Sequence, residues 1–283
     1  MAATEPFMPP TTTPRAIGSP ILSTPWPGLA VAARASGVEL GAGQLACFDR
    51  YRDLLLQWND RFNLTAVTDP DAIEQRLFLD AVRLLPVLDR FAPAIVPSGG
   101  RSIRVVDIGA GAGFPGLPIA ICRPDFAVTL VEATGKKVTF LDAVAAELDL
   151  SNVRAVYARA EEIGRESAHR GAYDLATARA VASLPALLEL SMPLLRVGGV
   201  ALFPKGQALS EELAGARRAA PLVGAALLAD DPLPGGETRL IVARKEAITP
   251  ARYPRRSGIP AREPLGMFRP RQRSAADPRD IDS

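Results

Sequence analysis

A single histidine, His169, and two cysteines, Cys47 and Cys122, are all the imidazole and thiol that the 283 residues contain. A histidine-based metal site is therefore not expected. Neither is a disulfide, because both cysteines fall in helical patterns and read as core residues of a reducing compartment. No apolar run reaches the 18 residues of a membrane span. The N-terminus carries Pro9, Pro10, Thr11, Thr12, Thr13 and Pro14 rather than a basic-then-apolar leader. These absences predict a cytoplasmic protein with no metal and no membrane contact, and we expect a monomer. Hydrophobic residues make up 48% of the chain, enough for one large domain or a domain with an appendage.

The net charge of +2 hides an asymmetry. Residues 244–273 hold nine Lys or Arg against Glu246 and Glu263, a net of +7, which leaves −5 for the remainder. A basic, proline-rich segment on a mildly acidic body reads either as a solvated tail or as a contact for a polyanion, most simply nucleic acid.

Four stretches follow from composition and periodicity. Residues 1–27, rich in Pro, Thr and Ser, read as a disordered tail. Residues 28–98 read as a helical cap. Leu45, Phe48, Leu55 and Trp58 recur near helical spacing, Asn59 and Asn63 bracket a helix end, and Asp69-Pro70 starts another helix. Pro93, Pro97, Ser98, Gly99 and Gly100 form a linker. Residues 99–246 alternate strand and helix patterns, with strands expected at 103–108, 127–132, 153–158, 173–178 and 199–203. A closing pair is expected at 222–228 and 238–243, around Pro232, Pro234, Gly235 and Gly236. This is an α/β fold built on a mostly parallel sheet, with an antiparallel strand expected at its edge. Residues 247–283 form the basic C-terminal tail.

The most informative turn is Val105-Val-Asp-Ile-Gly-Ala-Gly-Ala-Gly-Phe-Pro-Gly116. An apolar strand closes on Asp107. Gly109, Gly111, Gly113 and Gly116 then lead into an apolar helix, a cradle for a nucleotide-like cofactor. Gly111-x-Gly113-x-x-Gly116 fits a dinucleotide fingerprint, whereas Asp107-x-Gly109-x-Gly111-x-Gly113 fits the acidic-glycine turn of S-adenosylmethionine methyltransferases. Pro115 has no N–H to offer a pyrophosphate, and an acidic strand end suits a sulfonium cation. The methyl donor is therefore favoured, with an NAD(P)-dependent oxidoreductase as the rival.

Other strand ends extend the pattern. Glu132 stands where a carboxylate can accept both ribose hydroxyls. Ala160 and Glu161 follow the third strand, at the place of an adenine. Arg179 ends the fourth strand and Lys205 the fifth, both as cations expected to orient substrate or the cofactor carboxylate. Arg76, Lys136, Lys137 and Arg239 are further candidates for phosphate contact. Trp58 and Phe140 read as core anchors and His169 as a solvated residue. No Asn/Asp-Pro-Pro-Tyr segment follows the fourth strand, which disfavours methylation of exocyclic amines. No cysteine lies near the ligand edge, which disfavours covalent chemistry at cytosine C5. Guanine N7, with a free lone pair, needs alignment rather than a general base. A non-catalytic RNA-binding protein on the same fold stays open as a third reading.

Several segments together carry a resemblance. They are Trp58-Asn59, Asn63-Leu64-Thr65, Asp107 through Pro118, Glu132 with Lys136-Lys137 and Phe140-Leu141, Arg159-Ala160-Glu161-Glu162, Arg179-Ala180 and Lys205-Gly206. Over about residues 45–245 the chain resembles the small-subunit ribosomal RNA guanine-N7 methyltransferase G family, also called glucose-inhibited division protein B. Tyr253-Pro-Arg-Arg-Ser-Gly-Ile-Pro260 resembles a C-terminal extension in part of that family. The resemblance implies a class I S-adenosylmethionine methyltransferase fold, Rossmann-like, with seven strands, helices on both faces and an N-terminal helical cap. It implies methyl transfer to N7 of a guanine in the helix 18 loop of 16S rRNA, with the 30S subunit as partner. It carries cofactor positions onto Gly109, Phe114, Ala160, Glu161 and Arg179. Gly111 and Glu132 join them from the reading of the turn and the strand end. Leu77 and Ala81 depart from the family's usual His and Ser, so RNA contacts on that helix are expected to differ.

Overall fold

The computed structural model describes residues 27–95, 100–206, 209–234 and 238–267. The expected N-terminal tail, most of the linker around Pro97, the turn at Gly235-Gly236 and the last residues of the basic segment lie outside the described residues.

Among the described residues, five α-helices precede the sheet, α1 (Pro27–Ala35), α2 (Ala42–Phe62), α3 (Pro70–Ile73), α4 (Asp80–Val82) and α5 (Leu85–Ile95), with a π-helical segment, Glu74–Leu79, between α3 and α4. Their boundaries have local causes. Asn63 ends α2 in the left-handed conformation (φ 47°) and returns its N–H to Asn59 O. Asp69 caps α3 by accepting the Ala72 N–H at 2.8 Å, with Pro70 in the first turn, where its missing donor is no loss.

The sheet alternates with helices: β1 (Arg104–Ile108), α6 (Gly116–Cys122), β2 (Ala127–Glu132), α7 (Gly135–Glu147), β3 (Val153–Tyr157), α8 (Ala160–Ile163), β4 (Tyr173–Thr177), α9 (Leu184–Ser191), β5 (Leu195–Lys205), α10 (Ser210–Ala219), β6 (Ala225–Pro232) and β7 (Arg239–Lys245), with a short α11 (Ile259–Arg262) beyond. Its order is β3-β2-β1-β4-β5-β7-β6. The antiparallel strand is β7, inserted between β5 and β6. The expectation of an antiparallel edge strand is corrected here: β6 takes the edge and pairs antiparallel with β7, so β7 alone runs against the other strands.

Strand periodicity divides the core in two. Val105, Leu130, Leu175, Leu202 and Val242 face one layer, whereas their chain neighbours Val106, Val131, Ala176, Ala201 and Ile241 face the other. Parallel strands buried on both faces read as continuous apolar runs for this reason. The first layer is shared with the cap: Phe48, Tyr51, Leu55, Phe78 and Leu85 pack in the same cluster as Leu117 and Phe140. Cap and sheet therefore have one core rather than two. Trp58 packs against Phe140 with ring centroids 5.6 Å apart, both as core anchors. Leu77 and Ala81 are buried in this cluster, so their side chains belong to the cap core rather than to an exposed RNA-facing surface.

Three local expectations are revised. His169 is not simply solvated, because its Nδ1 lies 2.7 Å from the Tyr173 hydroxyl and its ring stacks on Tyr173. The segment after β7 folds against the body as far as Met267. Two cations of the basic region are spent on packing: Lys245, at the end of β7, donates from a buried site to Met192 O and Leu195 O, and Arg255, beyond it, pairs with buried Glu189.

Candidate active site

The carboxyl ends of the parallel strands open onto a cleft of about 340 Å³. Gly109 after β1, Glu132 at the end of β2, Ala160 and Glu161 after β3, and Val181 after β4 line it. This is the edge where ligands bind in open α/β sheets, since the loops diverge there while the strands hold their bases fixed.

The glycine turn is shaped by backbone demands that L side chains meet poorly. Gly109, Gly111 and Gly113 have φ of 65°, 59° and 96°. At Gly113 a Cβ would stand 2.3 Å from Leu117 Cδ1 and 2.7 Å from the Tyr51 hydroxyl. At Gly116, whose φ is ordinary, it would stand 2.7 Å from Asp107 Oδ2. The turn's amides are turned inward. Gly111 N–H donates to Glu132 Oε2 (3.0 Å), Gly116 N–H to Asp107 Oδ2 (2.9 Å), Gly113 N–H to Ala110 O (2.7 Å) and Ala110 N–H to Val131 O (3.0 Å). Pro115 has none. Glu132 Oε1 also accepts the Thr134 N–H at 2.8 Å. Two carboxylates have thus taken up two of the turn's donors, the Gly111 and Gly116 amides.

Charge beneath the turn is poorly solvated. Asp107 is fully buried, and burial raises its carboxyl from near 3.8 to about 7. The Gly116 N–H and Arg179 oppose that rise, and Glu132 adds to it. Asp107 Oδ1 has no partner among the described residues. Arg179 is also largely desolvated, which lowers its pKa against the pull of Asp80 and Asp107. One of its nitrogens donates to Arg76 O in the π-helical segment, and its buried Nη1 has no partner among the described residues. Asp107 Oδ1 and Arg179 Nη1 are therefore an unmet acceptor and an unmet donor just behind the cleft, the complement of a ligand that carries both an ammonium and a carboxylate. Next to Arg179, Ala180 is held at φ 55°, the kind of strain that collects at functional sites.

The structure brings Gly109, Glu132, Ala160 and Glu161 together around the cleft, with Gly111 directly behind the Glu132 carboxylate. Phe114, Arg179, Lys205 and Arg239, all expected at the site, do not line the cleft. Phe114 is buried away from the cleft wall, stacked on Tyr51 (centroids 5.1 Å, 15° between planes) and edge-on to Phe78. Its contribution to the pocket is to lock the glycine turn to the cap. Lys205, expected as a rim cation, is paired with Glu212 Oε2 at 2.8 Å and donates to Ala182 O. It braces the loop after β4 instead. Arg239, expected near phosphate, pairs with Asp230. Lys137 does line the cleft, as does Arg159. Sequence reasoning missed Val181, Gly258 and Ala261. For the last two the Tyr253–Pro260 motif was the available signal.

Comparison with known proteins decides the family. The family model described as GidB, rRNA small subunit methyltransferase G, matches residues 44–229. The chain belongs to the rRNA small subunit methyltransferase G family. It is 47% identical to ribosomal RNA small subunit methyltransferase G of Chloroflexus aggregans over 82% of this chain and 94% of that protein. With the protein of the same name from Roseiflexus castenholzii it shares 46% over 81% and 95% of the two chains. With that of Streptococcus thermophilus it shares 41% over 83% and 97%. Membership agrees with the Rossmann-like, class I methyltransferase sheet, seven strands with one reversed, and with the helical cap built over its first layer. Among the described residues no helix is long and apolar enough to cross a membrane, and no group of His, Cys, Asp and Glu is arranged to hold a metal.

Proposed function

We propose that this rRNA methyltransferase uses S-adenosylmethionine to methylate N7 of a guanine in the helix 18 loop of 16S rRNA, acting as a cytoplasmic monomer on the 30S subunit. The observation that carries the cofactor reading is the inward turning of the glycine amides onto Asp107 and Glu132. Two of the turn's N–H groups are spent on carboxylates, and of these Glu132 lines the cleft, which suits a cationic nucleoside and disfavours a dinucleotide.

S-adenosylmethionine, when bound, supplies an electrophilic methyl group on sulfur. Glu132 would hold the ribose hydroxyls with the lone pairs that Gly111 and Thr134 leave. Ala160 and Glu161 would flank the adenine. Asp107 Oδ1 and Arg179 Nη1 would receive the ammonium and carboxylate of the amino-acid end. Guanine N7 carries no proton, so these residues need only align and exclude water, and no general base is called for. Arg159 and Lys137 at the cleft mouth would meet the phosphates of the RNA.

The test is transfer of radiolabelled methyl from S-adenosylmethionine to 30S subunits lacking the modification, with the labelled nucleotide mapped. Label at N7 of the helix 18 guanine is expected. Cofactor binding without label on any ribosomal particle would discard the substrate and keep the fold. Light scattering on the purified chain tests the monomer.

A further inference from the structure

One wall of the cleft comes from beyond the last strand. After β7 the chain runs back across α9 and α8 toward the ligand edge, and its course is held at several points. Arg170 donates to Thr249 O (2.8 Å), to Tyr253 O (2.9 Å) and to Gly164 O (2.7 Å). Pro254 lies on Gly164 so closely that a Cβ there would be 3.0 Å from its ring. Arg255 closes on the fully buried Glu189 with its main-chain N–H (2.8 Å), Nε (2.9 Å) and Nη2 (2.7 Å). Beyond this anchor Gly258, at φ 81°, donates its N–H to Glu161 Oε1 at 2.8 Å. Gly258 and Ala261 then line the cleft together with Ala160 and Glu161.

β3 is the immediate neighbour of β2 in the sheet, so its following loop stands about 4.8 Å, one strand spacing, from the Glu132 end. A base attached to a ribose at Glu132 falls on that loop, and the strap is the surface facing it. We propose that the strap from Tyr253 to Arg262 forms the outer wall of the adenine subsite, with Ala261 setting its width and Gly258 positioning Glu161. The inference rests on the S-adenosylmethionine reading. It assigns the basic C-terminal segment, in its described part, to cofactor recognition rather than to RNA. A small residue at 261 leaves the slot open, and a left-handed backbone at 258 turns an amide onto Glu161 that would otherwise meet solvent.

Ala261 is solvent-exposed, so enlarging it disturbs no core packing. Calorimetric titration of the full chain with S-adenosylhomocysteine is the measurement. Ala261→Leu should raise Kd about tenfold, and Ala261→Ser should stay within about twofold, with Tm unchanged in both. In turnover, Ala261→Leu should raise KM for the methyl donor and leave KM for 30S subunits unchanged, a split that a loss of general stability does not produce. Wild-type protein that fails to bind S-adenosylhomocysteine would reject the cofactor reading itself. Wild-type binding with equal affinity in Ala261→Leu would overturn the strap assignment alone. Should Ala261→Leu fail to fold, Glu189→Met combined with Arg255→Met decides. It detaches the strap without leaving a buried charge unpaired, and unchanged affinity there overturns the assignment.

Discussion

Tyr51, in the middle of α2, donates its phenolic hydrogen to the carbonyl of Ala112 in the glycine turn, from a position with no solvent exposure. The cap thus holds the glycine turn through a polar contact set inside an aromatic cluster of Phe48, Phe78, Phe114 and Phe140. Burial pushes the Tyr51 hydroxyl well above its ordinary range, with Asp107 adding to the effect, so it remains a donor at any physiological pH.

Tyr51→Phe keeps the ring and removes the donor. The Ala112 carbonyl is left buried without its partner, which costs roughly 1–3 kcal/mol of stability. Denaturant unfolding should show that loss. Titration with S-adenosylhomocysteine should show weaker binding, because the turn loses its tether to the cap. Wild-type values in both measurements would mean that the aromatic packing alone holds the loop.

Asp107 makes stability depend on pH in a particular direction. Its carboxyl titrates near 3.8 when unfolded and at about 7 when folded. The folded state therefore holds the proton more tightly, and stability falls as pH rises through that interval. Asp107→Asn retains an oxygen for the Gly116 N–H and cannot ionise, so the variant should lose this part of the pH dependence and gain on wild type toward pH 8. Its affinity for the cationic methyl donor should fall, because the anion is gone. Thermal unfolding between pH 5 and pH 8 reads the first effect. Parallel slopes for the two proteins would show that Asp107 is not the group responsible.

Glu132 holds the turn and, in the proposed function, also the ribose. Glu132→Ala leaves the Gly111 and Thr134 amides unpartnered and would remove the proposed ribose acceptor. Cofactor binding should weaken by about 1–3 kcal/mol, accompanied by a lower Tm. Calorimetry that returns the wild-type Kd would remove Glu132 from the ribose site.

The glycines should not respond alike. At Gly111 a Cβ meets nothing closer than Gly109 O at 3.8 Å, so Gly111→Ala should cost only the left-handed backbone penalty, about 1–2 kcal/mol. Gly113→Ala adds a collision with Leu117 and Tyr51 and should be markedly less stable, with cofactor binding lost. Comparable melting temperatures for the two variants would contradict the close approach of Tyr51 to the turn.

Much of this was open to local reading. Alternating apolar strands, the Asp69-Pro70 start, the Asn63 stop and the run of glycines after Asp107 each act within a few residues. Their consequences for backbone conformation and burial follow from sequence spacing alone. The ligand edge was legible for the same reason: in a parallel sheet every strand's successor loop emerges at one end, so Glu132, Ala160 and Glu161 were placed by counting from their strands.

The amino-acid sequence by itself therefore determined the alternation of strands and helices and the acidic glycine turn. The tertiary structure alone decided that β7 inserts beside β5, that Phe114 turns into the cap, that Lys205 is taken by Glu212, and that Gly258 and Ala261 line the cleft. Arg255 finds Glu189 across 66 positions of chain, and Gly258 finds Glu161 across 97. Pairings over such separations depend on which buried charge lacks a partner once the core has formed, and no local periodicity records that competition.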